Sequence, residues 1–219
     1  EQYLVPMLGV YDRAEEIPWH ALPDQFVAKC THGSHCGVIC TDRTTFDRRA
    51  AARKLNRWLK RNWYWFGREP VYRNMEPRIL VEQFVGKRGQ VPADYKVMCY
   101  HGVPQVVQVH EKTEGVHSIG FYSESGKKLG IYKVGYPTGQ RERLEPALLA
   151  PLLMAAKRLA ESVDAPYLRT DFYLVDGQVY FSEMTFFDSS GFRRFGPDGA
   201  DEWLGSMLKL DVMTCPACG

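Results

Sequence analysis

Apolar and polar positions along the chain change their period several times, and each change marks an element. Residues 1–25 sustain no period, because Pro6, Gly9, Pro18 and Pro23 interrupt the apolar positions. They are expected to form an irregular lead-in with room for one short strand. Phe26–Cys30 is a strand-length apolar run, residues 31–37 are rich in turn formers, and Val38-Ile39-Cys40 resumes the run, which predicts a hairpin. From residue 46 to 62, Phe46, Leu55, Trp58 and Leu59 recur on one face, predicting a helix that Asp42 or Thr44 would cap. Residues 78–85 form an apolar strand, followed by a polar loop over 86–92. Asp94–Tyr100 and residues 103–110 read as a hairpin about His101-Gly102, and residues 116–134 as shorter strands. Residues 144–163 predict a second amphipathic helix with Pro146 in its first turn. Tyr167–Val175 and residues 178–186 are strands joined at Asp176-Gly177, the strongest hairpin signal in the chain, and residues 201–210 form a short helix. There is no internal repeat or low-complexity segment. The class is α+β with mostly antiparallel sheets.

Composition narrows the possibilities without redirecting them. The 219 residues are 45% apolar, 25% charged and 13% aromatic, which suits one large domain or two small lobes with packed cores. A net charge of +2 gives no case for nucleic acid or an anionic membrane. No apolar run approaches the ~20 residues needed to span a bilayer. The first residues, Glu1-Gln2-Tyr3, are neither a start methionine nor a signal peptide, so upstream sequence is expected to be missing. Cys30, Cys36, Cys40 and Cys99 stand singly in or beside predicted strands and read as reduced, buried side chains of a cytoplasmic protein. Cys215 and Cys218 form a lone C-x-x-C. Zinc would need more ligands, with His101 or His110 as the available completions.

Candidate chemistry gathers at three places. A turn centred on Asp176-Gly177 sets Asp171 opposite Ser182, leaving Glu183 one register step away; a bulge or a longer turn would bring both acids to one face. Both lie among apolar neighbours, and a buried carboxylate needs a cation. That cation is either magnesium, which suits an oxygen-only pair that also contacts phosphate, or Arg169, Arg193 or Arg194 in a salt bridge. Lys29, on a strand just before the Gly33 to Gly37 loop, is a reasonable phosphate cradle, although no Gly-Lys-Ser/Thr follows. Asp94 and Lys96 read as a surface ion pair of little energetic worth. The helix over 46–62 carries Arg48, Arg49, Arg53, Lys54, Arg57, Lys60 and Arg61 on its polar side, either a solvated face or a surface for a polyanion.

Taken in order, these pieces resemble the ATP-grasp ligases, and most closely their TupA-like branch, named for teichuronopeptide biosynthesis. The resemblance rests on Leu4-Val5-Pro6-Met7-Leu8-Gly9-Val10-Tyr11, on Leu22-Pro23-Asp24-Gln25-Phe26-Val27-Ala28-Lys29-Cys30-Thr31-His32-Gly33-Ser34, on Trp63-Tyr64-Trp65-Phe66-Gly67-Arg68-Glu69, on Asp94-Tyr95-Lys96 and on Tyr180-Phe181-Ser182-Glu183-Met184-Thr185-Phe186. It runs to about Leu210. It implies ATP clamped between two α+β lobes, a small one over 26–85 and a large one over 86–210 with the metal site. Residues 1–25 would be the remnant of an N-terminal segment and 211–219 a tail.

The resemblance also implies residue roles. Lys29, Gly33 and Ser34 would contact phosphate, and Glu82, Gln83, Phe84 and Val85 would form the hinge that reads adenine. Asp94 would bind ribose, and Lys96 would face phosphate or the acyl intermediate. Arg169 would steady the transferring phosphoryl group, and Asp171, Glu183 and Thr185 would hold Mg2+. Thr185 stands where these ligases usually carry asparagine, and His35-Cys36 stand where the TupA-like loop usually continues with glycines. The implied reaction is carboxylate–amine ligation through an acyl phosphate, with an acidic cell-surface glycan or peptide among the substrates. A kinase on the same fold, phosphorylating a hydroxyl, and a non-catalytic nucleotide- or polysaccharide-binding module are the alternatives.

Overall fold

In the computed structural model residues 2–87 and 90–210 are described. They divide into two compact units. The first holds the described residues up to Pro92 with Tyr173–Ser182 and Ser189–Gly191; the second holds Ala93–Phe172, Glu183–Asp188 and the described residues from Phe192 onward.

The first unit is built on a four-stranded antiparallel sheet of β1 (Met7–Tyr11), β2 (Phe26–Cys30), β3 (Gly37–Cys40) and β4 (Ile79–Gln83), in the order β1-β4-β2-β3. Strand β2 buries Phe26, Ala28 and Cys30 and leaves Val27 and Lys29 half-buried, the period of two that a sheet with one covered face requires. The lead-in supplies the one short strand for which it has room, since Met7–Tyr11 pairs with β4 as an edge strand. Helix α1 (Arg48–Leu59) covers the sheet with Ala51 and Leu55. Its cap is Asp47, whose Oδ1 accepts the Ala50 N–H at 2.9 Å, rather than Asp42 or Thr44. Asp42 instead accepts from the backbone and hydroxyl of Thr44 two residues on. Phe46 therefore precedes the helix, packing edge-on to Phe26 at 5.1 Å. All seven basic side chains predicted on the polar side are exposed, and among the described residues none of them forms a side-chain ion pair. A single turn, α2 (Tyr64–Gly67), follows; Arg68, left-handed at φ 58°, lies 4.5 Å over the Trp65 ring.

The second unit is built on a five-stranded sheet. The strands of this sheet are β5 (Asp94–Tyr100), β6 (Val103–Thr113), β7 (Val116–Ser123), β9 (Tyr167–Val175) and β10 (Gln178–Thr185), in the order β10-β9-β5-β6-β7, with Tyr173–Ser182 of the last hairpin counted in the first unit. Strand β6 is longer than predicted because Glu114 (φ 52°) and Gly115 (φ 80°) make a tight left-handed turn that sets Thr113 opposite Val116. Residues 116–123 are accordingly one continuous strand rather than shorter pieces. Helix α3 (Pro146–Glu161) packs on β5 and β6 and buries Leu149, Leu152, Ala155 and Ala156, with Pro146 in its first turn as expected. Two short strands, β8 (Tyr132–Lys133) and β11 (Phe195–Gly196), pair with each other. Helix α4 (Ala200–Ser206) contributes Ala200 and Leu204 to a cluster with Met98, Val106, Ile119 and Phe121. No helix among the described residues is long and apolar enough to cross a membrane.

Candidate active site

Alternation on β9 places Arg169 and Asp171 on one face of the sheet, and the side chains meet there. Arg169 Nε and Nη2 donate to the two oxygens of Asp171 at 2.7 and 2.8 Å, a bidentate pair. From β10, Glu183 Oε1 lies 3.3 Å and Thr185 Oγ1 3.0 Å from the same Nη2. Asp188 takes the remaining terminal nitrogen, Nη1, at 2.9 Å. From β5, Lys96 Nζ reaches Asp171 Oδ2 and also Asp94 Oδ2, the latter at 2.7 Å. Lys133 on β8 completes the group, 3.4 Å from Asp188. Three cations are thus interleaved with four carboxylates. The two acids of the hairpin do share a face: the one-step offset expected from a turn at Asp176-Gly177 does not separate them, since one guanidinium reaches both.

Burial sets the energetics. Asp171 is 0% and Arg169 6% exposed. Burial opposes charge on Asp171, but the Arg169 guanidinium and the Lys96 ammonium outweigh it and hold the carboxyl at about 2. Lys96 is likewise penalised by burial, yet Asp171 and Asp94 raise its pKa. The pair Asp94–Lys96 is therefore not the surface ion pair its spacing suggested; the Lys96 side chain is only 12% exposed. Glu183 exposes much of its side chain while its carboxyl end faces Asp171, and desolvation together with that second carboxylate raises its pKa. Asp94 is raised too, chiefly by burial, and its Oδ1 is buried with no hydrogen-bond partner.

The polar row continues beyond the residues that sequence reasoning singled out. On β6, Gln108 stands opposite Lys96 and His110 opposite Asp94. Directly paired residues of an antiparallel ladder share a face, so Gln108 and His110 extend the same row. His110 Nε2 is 3.2 Å from Gln108 Oε1, and His110 Nδ1 is 3.2 Å from His117 Nε2 on β7. The row therefore crosses all five strands, from Glu183 and Thr185 at one edge to His117 at the other. Sequence reasoning missed His117, Gln108, Lys133 and Asp188 as members of this group, and considered His110 only as a completion for Cys215 and Cys218. Those two cysteines lie outside the described residues. His101, the other completion, accepts the Lys209 N–H at 3.0 Å.

The first unit arranges its candidates differently. Lys29 Nζ lies 2.6 Å from Glu82 Oε2, across the β2–β4 ladder in which Val27 is paired with Glu82. Gln83 ends β4, and Phe84 is buried at 7% exposure, with Val85 beside it. The loop after Lys29 is a tight turn, closed by the Cys30 N–H on the Cys36 carbonyl at 2.8 Å. His32 is buried and 3.0 Å from the Trp58 carbonyl, while Cys36 joins the core. Gly33 has a packing reason for being glycine, since a Cβ there would come 3.1 Å from the Trp63 ring. Ser34 is half-buried on the same loop.

The chain is similar in fold to solved ligases. An L-amino acid ligase from Bacillus licheniformis matches 85% of this chain over 40% of its own length, at 16% identity and a TM-score of 0.51. A D-alanine–D-alanine ligase from Bacillus anthracis matches 84% of this chain over 52% of its own length, at 12% identity and a TM-score of 0.50. This chain thus spans about half the length of those proteins or less, and the likeness establishes the ATP-grasp fold. Within that fold the branch is settled by sequence. The profile of the TupA-like ATP-grasp family matches residues 1–209, and the chain belongs to that family. No curated protein matches it in sequence.

Proposed function

We propose that this chain is an ATP- and magnesium-dependent carboxylate–amine ligase that forms an amide through an acyl phosphate. The observation that carries the reading is the pair Asp171 and Glu183, drawn together on one sheet face and braced by Arg169 and Lys96. Desolvation raises the pKa of Glu183, and repulsion from the Asp171 carboxylate beside it raises it further. A divalent cation relieves that repulsion, and the donors offered are all oxygen: Asp171, Glu183 and the Thr185 hydroxyl. Among the described residues no three His, Cys, Asp or Glu side chains are placed to hold a metal alone. The all-oxygen donor set suits magnesium, which is commonly held by one or two carboxylates together with substrate phosphates and water. When bound there, magnesium would neutralise charge on the phosphate oxygens.

The chain's own residues supply the rest. Arg169 is fixed on one side by Asp171 and on another by Asp188, so its charge is already oriented when the phosphoryl group transfers to the carboxylate substrate. Lys96, kept charged by Asp94 and Asp171, neutralises phosphate or the acyl phosphate. Asp94, with a buried free oxygen, is assigned to the ribose hydroxyls. To the first unit the reading assigns phosphate contact at Lys29, Gly33 and Ser34, and adenine recognition at Glu82, Gln83, Phe84 and Val85. The exposed, unpaired bases of α1 favour an acidic glycan or peptide among the substrates over a neutral one. The need for ATP, and the free, buried state of Cys30, Cys36, Cys40 and Cys99, favour a cytoplasmic location.

Hydroxamate trapping tests the reading. Hydroxylamine intercepts acyl phosphates, so a panel of uronic acids and amino acids with ATP and magnesium should give ADP and a hydroxamate for at least one acid. ADP with a stable phosphorylated hydroxyl product would make the protein a kinase. ATP binding without turnover across the panel would make it a binding module.

A further inference from the structure

The ligase reading leaves one requirement unassigned. When an amine attacks an acyl phosphate, a C–N bond forms, the C–O bond to phosphate breaks with its electron pair leaving on phosphate, and the nitrogen must give up a proton. Most of the charged row cannot take that proton. Arg169, Lys96 and Lys133 are cations already. Asp171 and Asp188 are held in ion pairs, Asp94 is paired with Lys96, and Glu183 belongs to the carboxylate pair assigned to the metal.

The histidines at the far end of the row differ. Gln108 Nε2 donates to Met98 Sδ at 3.1 Å, which turns the amide oxygen toward His110. That oxygen only accepts, so the proton of His110 is on Nε2 and its Nδ1 carries a lone pair. His117 Nε2 must then donate to His110 Nδ1, leaving the lone pair of His117 on its own Nδ1, at the half-buried end of the chain. Gln108, at 0% exposure, anchors the whole arrangement. The His117 ring is also held edge-on to Tyr136 at 5.1 Å. A base whose far nitrogen is oriented by a second group, itself oriented by a third, is the arrangement that general-base sites use.

We propose, resting on the ligase reading, that His117 accepts through Nδ1 the proton released by the attacking amine, with His110 and Gln108 as positioning residues. The resulting imidazolium keeps its Nε2–H on His110 Nδ1 and passes the proton to water from its half-buried position. Desolvation and the cations facing the pair keep both rings uncharged at neutral pH. Those cations are Lys96 from β5, Lys133 from β8 and Arg169 from β9 for His110, and Lys112 from β6 with Lys133 and Lys96 for His117. Asp94, opposite His110, is the facing acid.

Two nucleophiles of nearly equal size separate this role from a structural one. Hydroxylamine is uncharged at neutral pH and its nitrogen is readily deprotonated once bonded, whereas methylamine needs a base. In His117→Gln the donor to His110 is kept and the base is lost. With the acid that gives the hydroxamate, this variant should form hydroxamate within about twofold of wild type, while its methylamide formation falls roughly a hundredfold and recovers as the pH is raised. His110→Gln should show the same split, at about tenfold. The hydroxamate made by each preparation also reports that it is folded. Parallel loss with both nucleophiles, or unchanged methylamide formation, would overturn the role of His117. A wild-type protein that makes neither product overturns the ligase reading, and the histidine role with it.

Discussion

In the first unit Lys29 is held, among the described residues, by one carboxylate, that of Glu82, and its side chain is 33% exposed. In the second, Lys96 is held by two carboxylates at 12% exposure and is tied through Asp171 to a guanidinium that contacts three further side chains. Both are strand lysines that the family resemblance assigns to phosphate, yet they are poised for different work. Lys29 can exchange its partner for a ligand oxygen at little cost, because a half-exposed ion pair contributes only about 0–1 kcal/mol. Lys96 and Arg169 cannot leave Asp171 without stranding buried charge, so that group acts as a rigid electrostatic frame. The difference teaches how to read mutations: in the second unit loss of function and loss of stability are entangled, and in the first they separate.

The strongest way to expose the contrast is Asp171→Asn. It should abolish ATP-dependent phosphate release and also lower unfolding free energy by about 3–5 kcal/mol, because Arg169 and Lys96 are left buried and uncompensated. Urea denaturation followed by tryptophan fluorescence measures the second effect. Unchanged stability would show that Asp171 is not what compensates the buried charges of Arg169 and Lys96.

Acid lability should come next in size. His110 is held far below its usual range, at about 2, by burial and by the cations around it. Between that value and the unfolded pKa near 6.5 the unfolded chain binds a proton that the folded chain does not, so stability rises with pH across this window. Falling from pH 7 to pH 5 should cost about 2 kcal/mol through this residue alone. His110→Gln should flatten that part of a stability–pH curve measured by urea titration; an unchanged slope would show that another group carries it.

Lys29→Met should have the smallest effect on stability, within about 1 kcal/mol of wild type, while raising the KM for ATP. A large loss of stability there, with ATP affinity intact, would reverse the contrast between the units.

Much of the second unit's frame is legible in the sequence. The bounds of β9 were readable because Asp176-Gly177 punctuates an alternating run, and both residues take the left-handed conformation that such a turn demands. Arg169 and Asp171, two apart on that strand, were bound to share a face. The helix cap was misread because Asp42 and Thr44 satisfy each other locally, leaving Asp47 as the free acceptor at the first turn. The histidine pair was hidden for a different reason. Seven residues separate His110 from His117, and only the Glu114-Gly115 turn makes them neighbours. That dipeptide was the available signal, but with β6 ended at His110 it had no strand to reverse. Lys133 and Asp188 gave no signal at all: one lies on a two-residue strand and the other beyond the end of β10, and only the fold brings them together.

The central claim is that Asp171 and Glu183 receive a magnesium–nucleotide complex. Glu183→Gln tests it more cleanly than any change at Asp171, because Glu183 is half-exposed and its loss leaves the Arg169–Asp171–Lys96 frame in place. The decisive measurement is the shift in melting temperature that ATP produces with and without magnesium, in wild type and in this variant. A shift in wild type that requires magnesium, and that largely disappears in Glu183→Gln, is the predicted result. An ATP-induced shift of equal size with and without magnesium, or one fully retained in the variant, would contradict the account.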